Sequence, residues 1–305
     1  MTNHQLFTNC FWFDNQAEEA AKFYTSIFPQ SGIGDITKYG KEGYEIHKRP
    51  EGTVMTVEFS LGGTPFLGLN GGPVFTPNPS ISYFVVCETE AETEALWKKL
   101  AEGGMVLMEI DKYPWSEKYG WVQDRYGFSW QVSLGKLSDT NGQIITPSLM
   151  FVKEQAGRAE EAIRFYSAVF RDSVTRGILR NGPGEENPEG MVKHAQFNLA
   201  GEEFMIMDST AAHNFSFNEA ISFVIHCKNQ EEIDYYWDRL TAGGGQESEC
   251  GWLKDKFGVS WQVEPVQLID MLKSPDKEKT ERVMKAFMQM KKFDLERLEA
   301  AFEGR

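Results

Sequence analysis

An internal duplication constrains this chain more than any other feature of its sequence. Residues 17–28 read AEEAAKFYTSIF and residues 159–170 read AEEAIRFYSAVF, so seven of the twelve positions are identical. Two further matches follow in the same order: ISYFVVC with ISFVIHC (81–87 and 221–227), and YGWVQDRYGFSWQV with CGWLKDKFGVSWQV (119–132 and 250–263). Collinear matches of this kind predict two copies of one structural unit.

The pattern within one copy indicates two smaller modules. Apolar residues at 6–13 predict a strand, and the AEEA segment that follows predicts a helix. The alternation at 53–61, the glycine pair 62–63 and the apolar run 64–70 predict a hairpin. A strand, a helix and three short strands then recur from Ile81, so the chain contains four β-α-β-β-β modules of an α+β fold.

The predicted domain boundaries follow from this repeat. The first domain spans residues 1–138, the second spans 143–265, and residues 266–305 form a tail outside the duplication. Apolar residues recur at helical spacing in this tail, which predicts helices. The tail either packs on its own domain, clamps the two domains together, or mediates dimerisation.

One face of each predicted sheet should line a cleft. The helix of a β-α-β-β-β module covers one face, so two modules side by side enclose a cleft with their other faces. Alternation then predicts that Thr56, Glu58 and Ser60 point into a cleft, as do His194, Gln196 and Asn198 of the second copy. The alternative is a solvated outer face. Whether modules pair within a copy or across the two copies stays open.

Composition excludes several classes of partner. The net charge of -14 and the isoelectric point near 4.9 argue against binding to nucleic acid or to anionic membranes. No apolar run approaches the ~18 residues of a membrane span. The N-terminus lacks a signal-peptide pattern and the four cysteines form no Cys-x-x-Cys pair, so we expect reduced thiols and a cytoplasmic protein.

The repeated motifs resemble a known family. The elements F-x-F-D, A-E-E-A-x-x-F-Y, V-x-x-V-E-F-x-L-x-G and G-W-x-x-D-x-x-G-x-S-W-Q are similar to those of the PhnB-like branch of the vicinal oxygen chelate superfamily (the glyoxalase, bleomycin-resistance and dioxygenase superfamily). This branch often carries the label 3-demethylubiquinone-9 3-methyltransferase. The resemblance covers nearly all of residues 5–265. It implies tandem vicinal oxygen chelate domains, a U-shaped cleft in each domain, and either a homodimer or an internal pseudo-dimer.

The resemblance also implies where a divalent metal would bind. Enzymes of the superfamily take metal ligands from the first and last strands of each module. The matching positions here are Asn9, Pro147, Leu67 or Gly68, Met205–Met207, Ser82, Ser222, Gln131 and Gln262. None is a histidine or a carboxylate, which are the usual ligands with nitrogen or oxygen atoms. We therefore expect no metal and no other cofactor.

Other residues are candidates for the ligand cleft or for catalysis. His194 and Asp208 could form an acid–base pair, although a histidine with a purely structural role is the alternative. Trp12, Trp115 and Asn70 have no equivalent in the second copy, which favours a site unique to the first. Trp130 and Trp261 are predicted core residues, as are Trp121 and Trp252. The predicted cleft residues are Asn9, Trp12, Glu58, Asn70, Ser82, Trp115, Gln131, His194, Gln196, Ser222 and Gln262.

These observations predict a small-molecule-binding protein without the usual metal, whose ligand the sequence does not identify. One alternative is a metal-dependent lyase or dioxygenase-type enzyme of the same fold, and another is a structural scaffold. A methyltransferase, as the family label suggests, is a further alternative. However, the glycine-rich stretches at 62–63, 69–73 and 242–245 lack the strand–turn–helix context of a nucleotide-type cofactor site. Whether the chain is an enzyme stays open.

Overall fold

The computed structural model describes residues 6–305, so the first five residues, which include the start of the N-terminal segment considered above, lie outside it. The predicted order of elements is confirmed in all four modules. Module 1 contains β1 (Phe7–Phe13), α1 (Ala17–Ile27), β2 (Gly32–Lys38), the short helix α2 (Tyr44–His47), β3 (Val54–Leu61) and β4 (Thr64–Asn70). Module 2 contains β5 (Ile81–Cys87), α3 (Glu90–Ala101), β6 (Met105–Tyr113), β7 (Ser116–Gln123) and β8 (Ser129–Leu134).

The second copy repeats this order after a short 3-10 helix at Leu137–Thr140. Module 3 contains β9 (Ile145–Phe151), α4 (Ala159–Val169), β10 (Val174–Arg180), β11 (Val192–Leu199) and β12 (Glu202–Asp208). Module 4 contains β13 (Ile221–Cys227), α5 (Gln230–Thr241), β14 (Gln246–Glu247), β15 (Trp252–Lys254) and β16 (Ser260–Pro265). The tail forms α6 (Val266–Leu272), α7 (Lys277–Phe287) and α8 (Leu295–Glu303).

The modules pair across the two copies. The first sheet has the order β14-β15-β16-β13-β1-β4-β3-β2 and joins module 4 to module 1. The second sheet has the order β10-β11-β12-β9-β5-β8-β7-β6 and joins module 3 to module 2. An antiparallel pair of strands joins the two modules at the centre of each sheet. Asn9 of β1 lies opposite Phe223 of β13, and Tyr83 of β5 lies opposite Pro147 of β9. Each cleft is therefore built from both copies, which corrects the expectation of one cleft within each copy.

One continuous core lies between the two sheets. The ring of Phe7 in module 1 contacts Phe170 of module 3 at 5.0 Å, and the ring of Phe11 stacks on Phe128 of module 2 at 4.0 Å. Buried aromatic and branched residues of all four modules belong to the same cluster. The two copies therefore share their hydrophobic stabilisation.

The repeated sequence motif forms a buried hydrogen-bond network in each copy. The carboxylate of Asp124 accepts hydrogen bonds from the Tyr24 hydroxyl (2.6 Å), the Trp130 indole (2.7 Å) and two backbone amides. Asp255 accepts the equivalent bonds from Tyr166 and Trp261. Trp130 and Trp261 are fully buried, which confirms their prediction as core residues. The motif thus ties the first helix of each copy to its last hairpin.

The tail covers the first sheet on the face opposite α1 and α5. Its residues Leu268, Met271 and Phe293 are buried, and backbone amides of Cys250 and Gly251 donate to carbonyls of Met290 and Lys291. The Lys273 ammonium at the end of α6 contacts module 1 through Asp35 and Glu58. The tail therefore contacts both copies. No helix within residues 6–305 combines the length and the apolar character needed to cross a membrane.

Candidate functional site

A cavity of about 760 Å³ lies between the first sheet and the tail. Strands β1, β3 and β4 of module 1 and β13 and β16 of module 4 supply its floor, and the tail forms its roof. Thr56, Glu58 and Ser60 line it, as the alternation of β3 predicts. The cavity thus needs residues from both copies and from the tail.

Most of the cavity wall is apolar. The sheet presents Met55, Leu67, Leu69 and Val224, and the aromatic ring of Trp252 stands beside them. The roof adds a further set of apolar side chains: Leu268, Ile269, Leu272, Phe287 and Phe293. A concave apolar surface with few polar groups is typical of small-molecule sites.

A short row of polar groups crosses the floor where the two copies meet. The Thr8 hydroxyl is 2.8 Å from the His226 Nε2 atom, and the Gln262 side-chain amide donates to the Ser222 hydroxyl at 2.9 Å. Burial raises the pKa of the nearby Cys10 thiol to about 12, so this group stays protonated at neutral pH. Because of these hydrogen bonds, the side chains of Thr8, Ser222 and Gln262 already have partners within the protein.

Glu264 differs from its polar neighbours. It lies on β16 directly beside His226 of β13, and its carboxylate lines the cavity. The side chain keeps a partial exposure, yet the surrounding protein raises its pKa to about 7 by desolvation. No hydrogen bond or ion pair to this carboxylate is found among residues 6–305.

The opposite rim of the cavity carries a charge cluster of two carboxylates and one ammonium group. The Lys273 ammonium lies 2.9 Å from the Glu58 carboxylate and 2.7 Å from that of Asp35. These ion pairs join the end of α6 to β2 and β3. Glu58, a predicted cleft residue, is thus paired with a cation of the tail.

A smaller pocket of about 370 Å³ lies beside the main cavity. Trp12 and Trp252 line it, with their rings edge to face at 5.8 Å. The Trp12 indole donates to the Gly72 carbonyl at 2.7 Å. Trp252 and Cys250 line both spaces, so Trp252 is part of a cavity wall and not of the core.

The equivalent face of the second sheet holds a hydrogen-bonded polar network. The Tyr119 hydroxyl donates to Gln131, whose amide donates to Ser82, both at 2.7 Å. Gln196 donates to Glu203 at 3.0 Å. Gln131 and Ser82 are therefore bonded to each other, and Gln196 is bonded to a buried glutamate of the same sheet.

Two aromatic candidates also lie on the second sheet. His194 is enclosed there, and burial lowers its pKa. The Trp115 side chain is 60% exposed and stacks on Tyr113 at 5.1 Å. Neither residue approaches the main cavity.

Three predicted site residues lie on the helix side of their sheets. Asp208 accepts amide hydrogen bonds from Gly157 and Ala159 at the start of α4, and Asn70 accepts one from Ala17 at the start of α1. Asn9 bonds the Pro65 carbonyl and the Tyr83 hydroxyl. The structure does not bring His194 and Asp208 together as an acid–base pair, because Asp208 faces α4 whereas His194 lies on the other face of the sheet.

Sequence reasoning did not identify the central pair of this cavity. Neither His226 nor Glu264 was among the predicted cleft residues. The two residues are 38 positions apart in the chain, and only the parallel register of β13 with β16 brings them together.

The residues that line the cavity do not fit a divalent metal. The central strands present Thr8, Leu67 and Gln262 to it, and Gln262 is bonded to Ser222. Nowhere in the part of the chain that the structure describes do three His, Cys, Asp or Glu side chains come together as a ligand set. His226 and Glu264 would supply two ligands at most, fewer than such ions usually take from protein.

Comparison with known proteins adds a family and a fold. The model of the family described as 3-demethylubiquinone-9 3-methyltransferase matches residues 5–133 and again 143–264. "Protein YjdN" of Escherichia coli K12 is 26% identical over 145 residues, which are 40% of this chain and 95% of that protein.

Two solved structures illustrate the resemblance at different scales. A putative 3-demethylubiquinone-9 3-methyltransferase, PhnB protein, from Bacillus cereus is 42% identical; the match covers 42% of this chain and 98% of that one, with a TM-score of 0.39. Glyoxalase I from Zea mays is 11% identical with a TM-score of 0.54, and the match covers 85% of this chain and 91% of that one. The second likeness shows the fold alone.

Proposed function

This chain belongs to the PhnB-like family described as 3-demethylubiquinone-9 3-methyltransferase, and we propose that it binds a small, largely apolar organic molecule in the cavity beneath the tail. The observation that carries the proposal is the cavity itself. Its volume of about 760 Å³ lies within the roughly 300–1,000 Å³ range of ligand sites, and most of its wall is apolar.

The proposed ligand binds without a divalent metal. Gln262 and Ser222 are bonded to each other, and Leu67 offers no ligand atom. Metal analysis of the purified protein tests this point. We expect less than a tenth of an equivalent of tightly held divalent ion, and about one equivalent would favour a metal-dependent lyase or dioxygenase.

We do not extend the family description to methyl transfer. Gly62 and Gly63 form the hairpin between β3 and β4, and Gly243–Gly245 follow the end of α5, so neither segment has the context of a cofactor loop. Calorimetric titration with S-adenosylmethionine should give no saturable heat. Micromolar affinity would overturn this part of the proposal and favour the family label.

Binding in the cavity can be tested with the neutral fluorescent probe N-phenyl-1-naphthylamine. We expect saturable binding to the native protein. Thr56→Trp places an indole in the cavity and should weaken binding roughly tenfold or more, since the probe and the new ring would need the same space. His194→Trp, the matched control, introduces the same residue at the corresponding position of the second sheet and should leave probe binding unaltered.

Two results would contradict the proposal. The first is an equal loss of binding in both tryptophan variants, and the second is the absence of saturable binding to the native protein. Thermal melts establish that each variant is folded. Ser60→Phe, which also points into the cavity, replaces Thr56→Trp if the latter does not fold.

A further inference from the structure

We propose that the ligand carries a positively charged ammonium group that pairs with Glu264, which makes its chemical class that of an apolar amine. This inference rests on the proposed function and specifies the ligand of the same cavity. The observation behind it is a carboxylate on the cavity wall with no hydrogen-bonding partner among residues 6–305.

A carboxylate that the protein partly desolvates and leaves without a partner is unfavourable. Buried charges in proteins are normally paired or hydrogen-bonded, because the loss of hydration is not otherwise recovered. No side chain of residues 6–305 donates a hydrogen bond to the Glu264 carboxylate, and the nearby Cys250 thiol, whose pKa burial raises to about 11, is neutral and only a weak donor. A cationic ligand would supply the missing interaction.

The other acidic group that lines the cavity, Glu58, is paired with a cation of the protein. Glu58 lies on the far rim and accepts from the Lys273 ammonium at 2.9 Å. Lys273 contacts Asp35 as well, so this cation is already engaged by two carboxylates. Glu264, unlike Glu58, has no cation of the protein beside it among residues 6–305.

The fold itself does not require an acidic residue at this position. In the second sheet the same place on the last strand of the module is occupied by Ser133, and its neighbour is Val86. In the first sheet the corresponding neighbours are Glu264 and His226. The carboxylate is thus a property of one cleft and not of the repeated scaffold, which favours a role in that cleft.

The surroundings also suit an organic cation. Trp252, Phe287 and Phe293 line the same cavity, and aromatic faces attract ammonium groups. The net charge of -14 favours the approach of cations to the whole molecule. A ligand with an apolar part and an ammonium group would pack its apolar part against these rings and pair its ammonium group with Glu264.

Three probes with one ring system and different charges test this inference. They are 2-naphthylmethylamine, which is cationic at pH 8, the neutral 2-naphthalenemethanol and the anionic 2-naphthoate. Calorimetric titrations of the native protein at pH 8 should show roughly tenfold or greater preference for the amine over the alcohol, as expected for a charge-assisted hydrogen bond. The naphthoate should bind weakest.

Two variants with the same change in net charge separate the local effect from the global one. Glu264→Gln should reduce the preference for the amine to within about threefold, because the amide retains the shape and loses the charge. Glu249→Gln, at an exposed neighbouring position, should keep the full preference. Glu264→Ser, copied from Ser133 of the second sheet, is the substitute if the glutamine variant does not fold.

The outcomes distinguish this inference from the proposed function. Equal affinity for amine and alcohol, or an unchanged preference in Glu264→Gln, would overturn the amine assignment while leaving cavity binding intact. Tightest binding of the naphthoate would overturn it in the same way. Failure of all three probes and of N-phenyl-1-naphthylamine would overturn both proposals.

Discussion

At the scale of single residues, the buried aspartates of the core differ from the partly exposed glutamate of the cavity. Asp124 and Asp255 each accept several hydrogen bonds within the core, whereas Glu264 accepts none from residues 6–305. The sequence indicated the aspartates through their repeated motif. It could not distinguish Glu264 from a solvated side chain, since its setting depends on strand register and on the tail.

The equivalence of the two aspartate networks leads to a first prediction. Tyr24→Phe and Tyr166→Phe each remove one hydroxyl that donates to a buried carboxylate, so each should lower the free energy of unfolding by about 1–3 kcal/mol. Urea denaturation measures both losses. Tyr44→Phe, at a half-exposed position, should cost less than about 0.5 kcal/mol. A clear loss in one copy and none in the other would contradict the equivalence.

Glu264 should make the stability of the protein depend on pH. Its pKa is raised from 4.5 to about 7 in the folded state, so the folded protein holds this proton more tightly than the unfolded chain. The stabilising effect of protonation is fully present below pH 4.5 and is lost as the pH rises through 7. Glu264→Gln should therefore be more stable than the native protein at pH 8 by roughly 1–3 kcal/mol, after a discount for partial exposure.

The comparison at two pH values provides the control for this prediction. At pH 4.5 the glutamine variant and the native protein should unfold at similar urea concentrations, because the glutamate is then protonated in the folded state. An identical stability difference at pH 4.5 and pH 8 would show that Glu264 does not titrate in this range.

At the scale of secondary-structure elements, the packing position of the tail was the feature that the sequence specified least. Its apolar spacing predicted helices, and α6–α8 confirm them. The same spacing could not say which surface the helices would cover, because an amphipathic face fits any apolar partner. The structure shows that they cover the first sheet and roof the cavity.

The buried face of the tail should contribute strongly to stability. Phe293 is 2% exposed, lies against Gly251 and faces the cavity. Phe293→Ala should lower the free energy of unfolding by about 3–5 kcal/mol, whereas Phe302→Ala, at a partly exposed position on α8, should cost clearly less. Differential scanning fluorimetry ranks the two variants. Equal melting temperatures for both would argue against a structural role of the tail at the cavity.

At the scale of the whole molecule, the sequence predicted the duplication but did not predict which modules pair. The strands ISYFVVC and ISFVIHC present the same alternation of side chains, so either could pair with β1. Pairing of module 1 with module 4 and of module 2 with module 3 follows from tertiary packing. Asn9 and Asn70, two of the predicted cleft residues, lie on the helix side of the first sheet, since neighbouring side chains of a strand point to opposite faces.

Pairing across copies predicts that the two copies unfold together. Each sheet takes strands from both copies, and the core is continuous. Differential scanning calorimetry should therefore show a single transition whose calorimetric and van't Hoff enthalpies agree. Two separable transitions, or a shift of only one of them in Tyr24→Phe, would contradict a shared core.

The most direct test of the account is a crystal structure of the protein with 2-naphthylmethylamine bound at pH 8. We expect the naphthalene ring in the cavity between the first sheet and the tail. The ammonium nitrogen should lie about 2.7–2.9 Å from the Glu264 carboxylate, the distance of a charge-assisted hydrogen bond. A probe ordered on the second sheet beside Gln131, with the cavity beneath the tail left empty, would contradict it.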